Sequence, residues 1–189
     1  MTQNAFQGGF TTAPIQSAHA FRAALEALSC PGKICTLAGA TPPLPLSVAA
    51  GVLILTLCDG TTPVHLAGDH DSGAVRDWIT FHTAAPLKDA ASASFAIGTW
   101  DALQPVARFC AGTPDYPDRS ATLIVEMAQF SANGPTLSGP GIQHIARLSL
   151  PETAAFQANR AQYPLGFDCF FTASTQLAGL PRSTHVRDI

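Results

Sequence analysis

Ala121-Thr122-Leu123-Ile124-Val125-Glu126-Met127 is the clearest strand in this chain. It is rich in β-favouring residues, follows a polar loop from Thr113 to Ser120, and stops before the turn-forming run Ser131-Ala132-Asn133-Gly134. Outward from it, helix and strand signals alternate. Upstream, Trp100 to Cys110 reads as helix, Ser94 to Ile97 alternates like a strand, and Asp71-Ser72 opens a short helix carrying Val75, Trp78 and Ile79. Thr62 to Leu66 reads as a strand after the Asp59-Gly60 break. Val48 to Leu57 is apolar almost all round. Its length favours a buried helix capped by Ser47, with a strand as the alternative. Nearer the start, Ser17 can cap a helix with Phe21, Leu25 and Leu28 on one face; Pro31-Gly32 stops it and leads into Ile34-Cys35-Thr36-Leu37, a short strand.

Downstream, Thr136 to Ser138 and Ile145 to Leu150 can pair around the Gly139-Pro140-Gly141 turn. Pro151 suits a first helical position, the helix running to about Gln162, and Asp168 to Thr172 reads as a last buried strand. Strands separated by helices predict a layered α/β domain over residues 1–189, its sheet mixed because the hairpin adds antiparallel pairing.

Composition narrows the function classes. Charged residues make up 12% of the chain, roughly half the usual quarter. A surface so poor in charge points to partial covering by another protein. The net charge is −3 and Lys and Arg nowhere cluster, which argues against nucleic acid as a partner. The start lacks the basic and apolar regions of a secretory signal, and Val48 to Leu57 is about half a membrane span. The expected location is the cytoplasm, without membrane contact. The 5 cysteines are scattered with no Cys-x-x-Cys pair, so neither a disulfide framework nor a zinc knuckle is expected.

Motif by motif, little catalytic chemistry is legible. Gly139-Pro140-Gly141 fails as a nucleotide loop because His144 stands at the third glycine's place. Neither a phosphate-binding Gly-x-x-x-x-Gly-Lys nor a Gly-x-Ser-x-Gly elbow occurs. His65, Asp69, His70 and Asp71 match no zinc spacing and read as a loop with Asp71 as helix cap. Two groups remain as substrate-binding candidates. His82 and Thr83 stand where a helix meets a Pro-stopped loop and could donate to an anion or act as acid and base; otherwise they cap exposed backbone. Arg182, Ser183, Thr184 and His185 place four donors after a Pro-fixed bend, suited to phosphate-like oxygens. The structural alternative pairs Arg182 with Asp168.

Several stretches, taken in order, carry a family resemblance. They are Phe21-Arg22-Ala23-Ala24-Leu25 with Ser29-Cys30-Pro31-Gly32, Leu53 to Leu57 with Asp59 and Thr62-Pro63-Val64, and Phe81-His82-Thr83. Ala121-Thr122-Leu123-Ile124, Tyr163-Pro164-Leu165-Gly166-Phe167-Asp168 and Leu180-Pro181-Arg182-Ser183-Thr184-His185-Val186 follow. The pattern resembles the PhnH family, subunits of the bacterial carbon–phosphorus lyase system that takes phosphonates apart. Thr80 stands where members often carry a basic residue, and Ser183 where they usually carry Thr.

The resemblance implies a three-layer α/β/α fold like the large domain of the pyridoxal-phosphate-dependent transferases, and a homodimer. It does not imply that cofactor. Only Lys33 and Lys88 are present, neither late in the chain where that fold places its Schiff-base lysine, so no cofactor is expected. The implied partners are PhnG, PhnI, PhnJ and PhnL, with a phosphonate or nucleotide as candidate ligand. The implied function is support for forming ribose 1-phosphonate 5-triphosphate from ATP and a phosphonate, as scaffold or binding subunit. A small stand-alone transferase acting on a phosphorylated ligand is the competing expectation.

Overall fold

The computed structural model describes residues 6–188. In chain order the elements are α1 (Ala13–Ser29), β1 (Ile34–Thr36), α2 (Val48–Leu57), β2 (Val64–Leu66), α3 (Gly73–Thr83), β3 (Phe95–Thr99) and β4 (Thr122–Glu126). There follow β5 (Thr136–Ser138), β6 (Ala146–Arg147), α4 (Thr153–Ala161), β7 (Asp168–Ala173), β8 (Gln176–Leu180) and β9 (His185–Arg187). A six-stranded mixed sheet runs β1-β8-β7-β4-β3-β2. β2, β3, β4 and β7 are parallel, while β8 and β1 add antiparallel pairing at one side. A small sheet, β6-β5-β9, covers part of one face beside α4. The other face carries α1, α2 and α3. This is the mixed α/β architecture expected from the alternation of elements.

The central strand places Leu123, Ile124 and Val125 at full burial, and Ile124 faces the helical layer while Leu123 and Val125 face the other. That alternation is the period of two that a doubly covered strand must show. α2 spans Val48–Leu57, with Ser47 as N-cap accepting from the Ala50 N–H at 3.1 Å. Val52, Leu53 and Ile54 are wholly buried, which explains a helix without a polar face.

α1 departs from expectation in both start and face. It begins at Ala13, with Pro14 in its first turn, and not after Ser17. The face against the sheet is Ala20, Ala24 and Ala27, whereas Phe21 and Leu25 remain 48% and 53% exposed. The reason lies on β8. A Cβ on Gly179 would meet the Ala27 backbone at 2.6 Å, so helix and strand approach too closely for large side chains. Small residues face inward, and the larger ones point away.

Trp100 to Cys110 is not an α-helix; it holds a turn at Trp100–Leu103 and a 3-10 segment at Val106–Arg108. Pro105 lacks an N–H and disfavours helical geometry at Gln104, which breaks the run. Trp100, Leu103 and Phe109 are nevertheless buried, so the apolar spacing was a packing signal. At α3 the N-cap is Ser72, accepting from Val75 N–H at 3.3 Å, and Asp71 instead pairs with Arg76. Pro151 precedes the N-cap Glu152, so it is not the first residue of α4. The hairpin forms as Thr136↔Arg147 and Leu137↔Ala146, but β6 is only two residues long. Finally, β7 is not the last strand, since β8 returns antiparallel beside it and β9 then joins β5. No helix among the described residues is long and apolar enough to cross a membrane.

Candidate functional site

The bend after β8 brings Arg182 against the start of β7. Its Nε and Nη2 donate to the two Asp168 oxygens at 3.1 and 2.7 Å, and its own backbone N–H donates to Asp168 Oδ1 at 2.8 Å. Nη1 donates to the Pro117 carbonyl at 2.7 Å, and Nη2 also donates to Ser120 Oγ. Asp168 and Arg182 side chains are 23% and 12% exposed. Arg182 thus ties the polar loop before β4 to the first residue of β7. A shallow groove of about 320 Å³ lies over this junction, lined in part by Asp118, Tyr163, Pro164, Asp168, Arg182 and Ser183.

The neighbouring residues diverge from that groove. The Thr184 N–H closes the bend onto the Pro181 carbonyl at 2.9 Å, and its side chain is buried with Oγ1 unpartnered among the described residues. It points toward Phe156 and Asn159, not toward the surface cleft. His185 opens β9, where its Nε2 lies 3.2 Å from Arg160 Nη2 on α4. A guanidinium only donates, so Nε2 is the acceptor. Arg160 in turn lies over the Tyr163 ring at 4.8 Å.

His82 and Thr83 lie on the helical face of the sheet, at the end of α3. Thr83 Oγ1 donates to the Ile79 carbonyl at 2.7 Å and accepts from the Ala85 N–H at 3.1 Å. His82 Nε2 faces the Gln7 carbonyl at 3.3 Å, and its ring lies 5.0 Å from that of Trp78. β9 and α4 pack on the opposite face. The structure therefore keeps only Arg182 and Ser183 together at the groove, sends Thr184 and His185 elsewhere, and does not bring His82 or Thr83 to them.

Two structural anchors carried no sequence signal. Asn159, buried in α4, donates from Nδ2 to the Phe167 carbonyl at 2.8 Å and accepts the Phe167 N–H at 2.9 Å. Its amide thereby pairs with a peptide unit as a strand would, and fixes the Leu165-Gly166-Phe167 turn. At the C-terminal end of β4, Glu126 accepts the Ser47 N–H at 2.7 Å and the Thr172 hydroxyl at 3.0 Å. Burial pushes its carboxyl above the ordinary value, opposed by those hydrogen bonds.

Among the described residues no group of three or more His, Cys, Asp or Glu could hold a metal. His65 is bound to the Lys88 carbonyl, Asp71 to Arg76, and His70 is buried, with its pKa lowered by desolvation. All five cysteines are free; Cys35, Cys58 and Cys169 are buried, Cys30 and Cys110 only partly so. Burial pushes the Cys58 thiol up to about 12.

Comparison with known proteins agrees with the motif pattern. Residues 8–187 match the model of the family described as bacterial phosphonate metabolism protein (PhnH). The chain is 37% identical over 188 residues to alpha-D-ribose 1-methylphosphonate 5-triphosphate synthase subunit PhnH of Rhizobium meliloti (strain 1021), covering 95% of this chain and 94% of that protein. It is 29% identical over 175 residues to the putative C-P lyase subunit protein HtxG of Stutzerimonas stutzeri, covering 88% and 84% respectively. From its opening helix to its last strand, the chain belongs to the PhnH family of bacterial phosphonate metabolism proteins.

Proposed function

We propose that this chain is a subunit of the assembly that forms alpha-D-ribose 1-methylphosphonate 5-triphosphate, and that it acts as a non-catalytic scaffold or binding subunit in the cytoplasm. The observation that carries this reading is the full-length similarity to a subunit of that synthase. The site geometry supports a non-catalytic role. Arg182 is a donor already engaged by Asp168, Ser120 and Pro117, and the Thr83 hydroxyl is bound within its own helix end. Any phosphonate or nucleotide contact at the shallow groove would fall to Arg182 and Ser183, since Thr184 is buried and His185 is turned to Arg160, and would be separate from His82 and Thr83.

The chain is proposed to work as one domain and as a homodimer, alongside PhnG, PhnI, PhnJ and PhnL. The exposed apolar face of α1, with Ile15, Phe21 and Leu25, is the sort of surface that a partner covers in a charge-poor protein. Likeness to the pyridoxal-dependent transferase fold is proposed without its cofactor. Lys33 is held by Glu26 in an ion pair that raises the lysine's pKa and so favours the ammonium, the form unable to make a Schiff base. Co-purification with the other subunits and an adenine-release assay with and without this chain test the reading. Release should need the assembly and fall when this chain is omitted. Adenine release by the isolated chain would overturn the non-catalytic role.

A further inference from the structure

A second cleft, of about 300 Å³, opens at the free edge of the central sheet, away from the Arg182 bend. His65 and Leu66 of β2, Asp71 and Arg76 at the start of α3, and Lys88 and Asp89 of the α3–β3 connection line it. The connection runs beside β2 for a single bridge, Val64↔Leu87, with Val64 N–H donating to Pro86 and Lys88 N–H to Val64, each at 2.9 Å. It then turns away at the 3-10 segment Ala90–Ser92. The cleft fills the space where the connection leaves the strand.

Its charged groups are placed but only partly satisfied. The Lys88 backbone is pinned on both sides, by its N–H to Val64 and by its carbonyl to His65 Nδ1 at 3.0 Å. Its ammonium nevertheless has no partner among the described residues. Asp89 occupies the N-cap position of the following 3-10 segment, yet its carboxylate makes no capping bond. Arg76 is oriented by Asp71, which takes its Nε and Nη2 and leaves Nη1 unused in that pair. A carbonyl oxygen only accepts, so His65 Nδ1 is the donor in this contact.

The cleft therefore offers two cations, Arg76 held by Asp71 and Lys88 unpaired among the described residues, and one open carboxylate, Asp89, and its four charged residues sum to zero. An anion alone would leave Asp89 facing a negative charge, and an amine alone would meet Lys88. A short molecule with both groups satisfies each end and is desolvated at least cost. We propose that this cleft binds a small zwitterion, its oxyanion at Lys88 and Arg76 and its ammonium at Asp89. This goes beyond the role in the synthase assembly and does not rest on it.

The test is a calorimetric or NMR titration of the full chain with 2-aminoethylphosphonate, β-alanine, inorganic phosphate and ethylamine. The two zwitterions should bind, their order separating a phosphonate from a carboxylate head, while phosphate and ethylamine should bind at least about tenfold more weakly. Lys88→Gln and Asp89→Asn should each weaken zwitterion binding by about tenfold or more. Both side chains are exposed and unpartnered, so the variants should keep the parent's circular dichroism and melting behaviour. No zwitterion binding, phosphate binding as tightly as the zwitterions, or indifference to both substitutions would overturn the proposal.

Discussion

Arg182 and Asp168 face each other at the open end of the β7–β8 hairpin, away from its turn, the guanidinium bridging both carboxylate oxygens while Arg182 N–H adds a third bond. The two motif segments richest in family character, Tyr163 to Asp168 and Leu180 to Val186, thus meet in one ion pair. Removing one partner of a largely buried pair strands the other. Arg182→Ala is expected to cost about 2–4 kcal/mol in urea unfolding, less than a fully buried pair because both groups keep some solvent contact. Arg182→Lys should recover only part, since an ammonium cannot bridge two oxygens and reach Pro117 as well. Wild-type stability of Arg182→Ala combined with lost adenine release in the assembly would move Arg182 to a ligand-binding role.

Glu126 gives the fold a pH dependence of definite sign. Burial raises its folded pKa above 4.5, so the native chain holds this proton more tightly than the unfolded chain. Its contribution is fully present below the unfolded value and is lost as pH rises through the folded one. Glu126→Gln can still accept the Ser47 N–H but cannot ionise. The variant should therefore gain on the parent as pH rises from the acid side of that window toward neutrality, read from urea midpoints at several pH values. A constant difference across that range would exclude Glu126 as the source.

The inward and outward faces of α1 should respond oppositely to substitution. Gly179→Ala places a methyl against the Ala27 backbone, which cannot yield as a flexible side chain would, and should destabilise by about 1–3 kcal/mol. Phe21→Ser and Leu25→Ser should change monomer stability by less than about 0.5 kcal/mol. Analytical ultracentrifugation should show their effect on self-association or subunit binding.

Asn159 holds Phe167 through both a donor and an acceptor. Asn159→Leu leaves a buried N–H and carbonyl without partners and should cost about 2–4 kcal/mol, measured by chemical denaturation. Asn159→Asp keeps the acceptor but not the donor, and sits between the two.

Thiol accessibility separates the cysteines. Cys30 and Cys110 should react first with a thiol-specific reagent in the native chain, while Cys58 and Cys169, whose thiols burial pushes upward, should label only on unfolding.

Local signals in the sequence carried most of the sheet. The strands at Thr122–Glu126 and Phe95–Thr99 and the helix Val48–Leu57 follow from apolar runs and their caps. What local pattern could not convey was distance. The buried face of α1 depends on Gly179, some hundred and fifty residues later, so Phe21 and Leu25 looked like core because nothing nearby contradicted them. Gln176 to Leu180 is short, contains Gly and follows a tight turn, which hides a strand whose identity is set by pairing on both sides. At the site, the pairing of Arg182 with Asp168 was visible as an alternative. The separation of His82 from Arg182 by the sheet was not, because both lie near motif stretches without any sequence cue to which face they occupy.

β1 pairs with β8 through Ile34↔Ala178, and α1 rests on that same strand. A nascent chain cannot complete this edge until β8 has left the ribosome. At roughly 5–20 residues per second, the interval between synthesis of the two strands is on the order of ten seconds. For that time the opening helix lacks its docking surface. Chaperone binding to the emerging N-terminal segment, and the yield of truncated chains lacking β8, are the places where this topology leaves its mark on production in the cell.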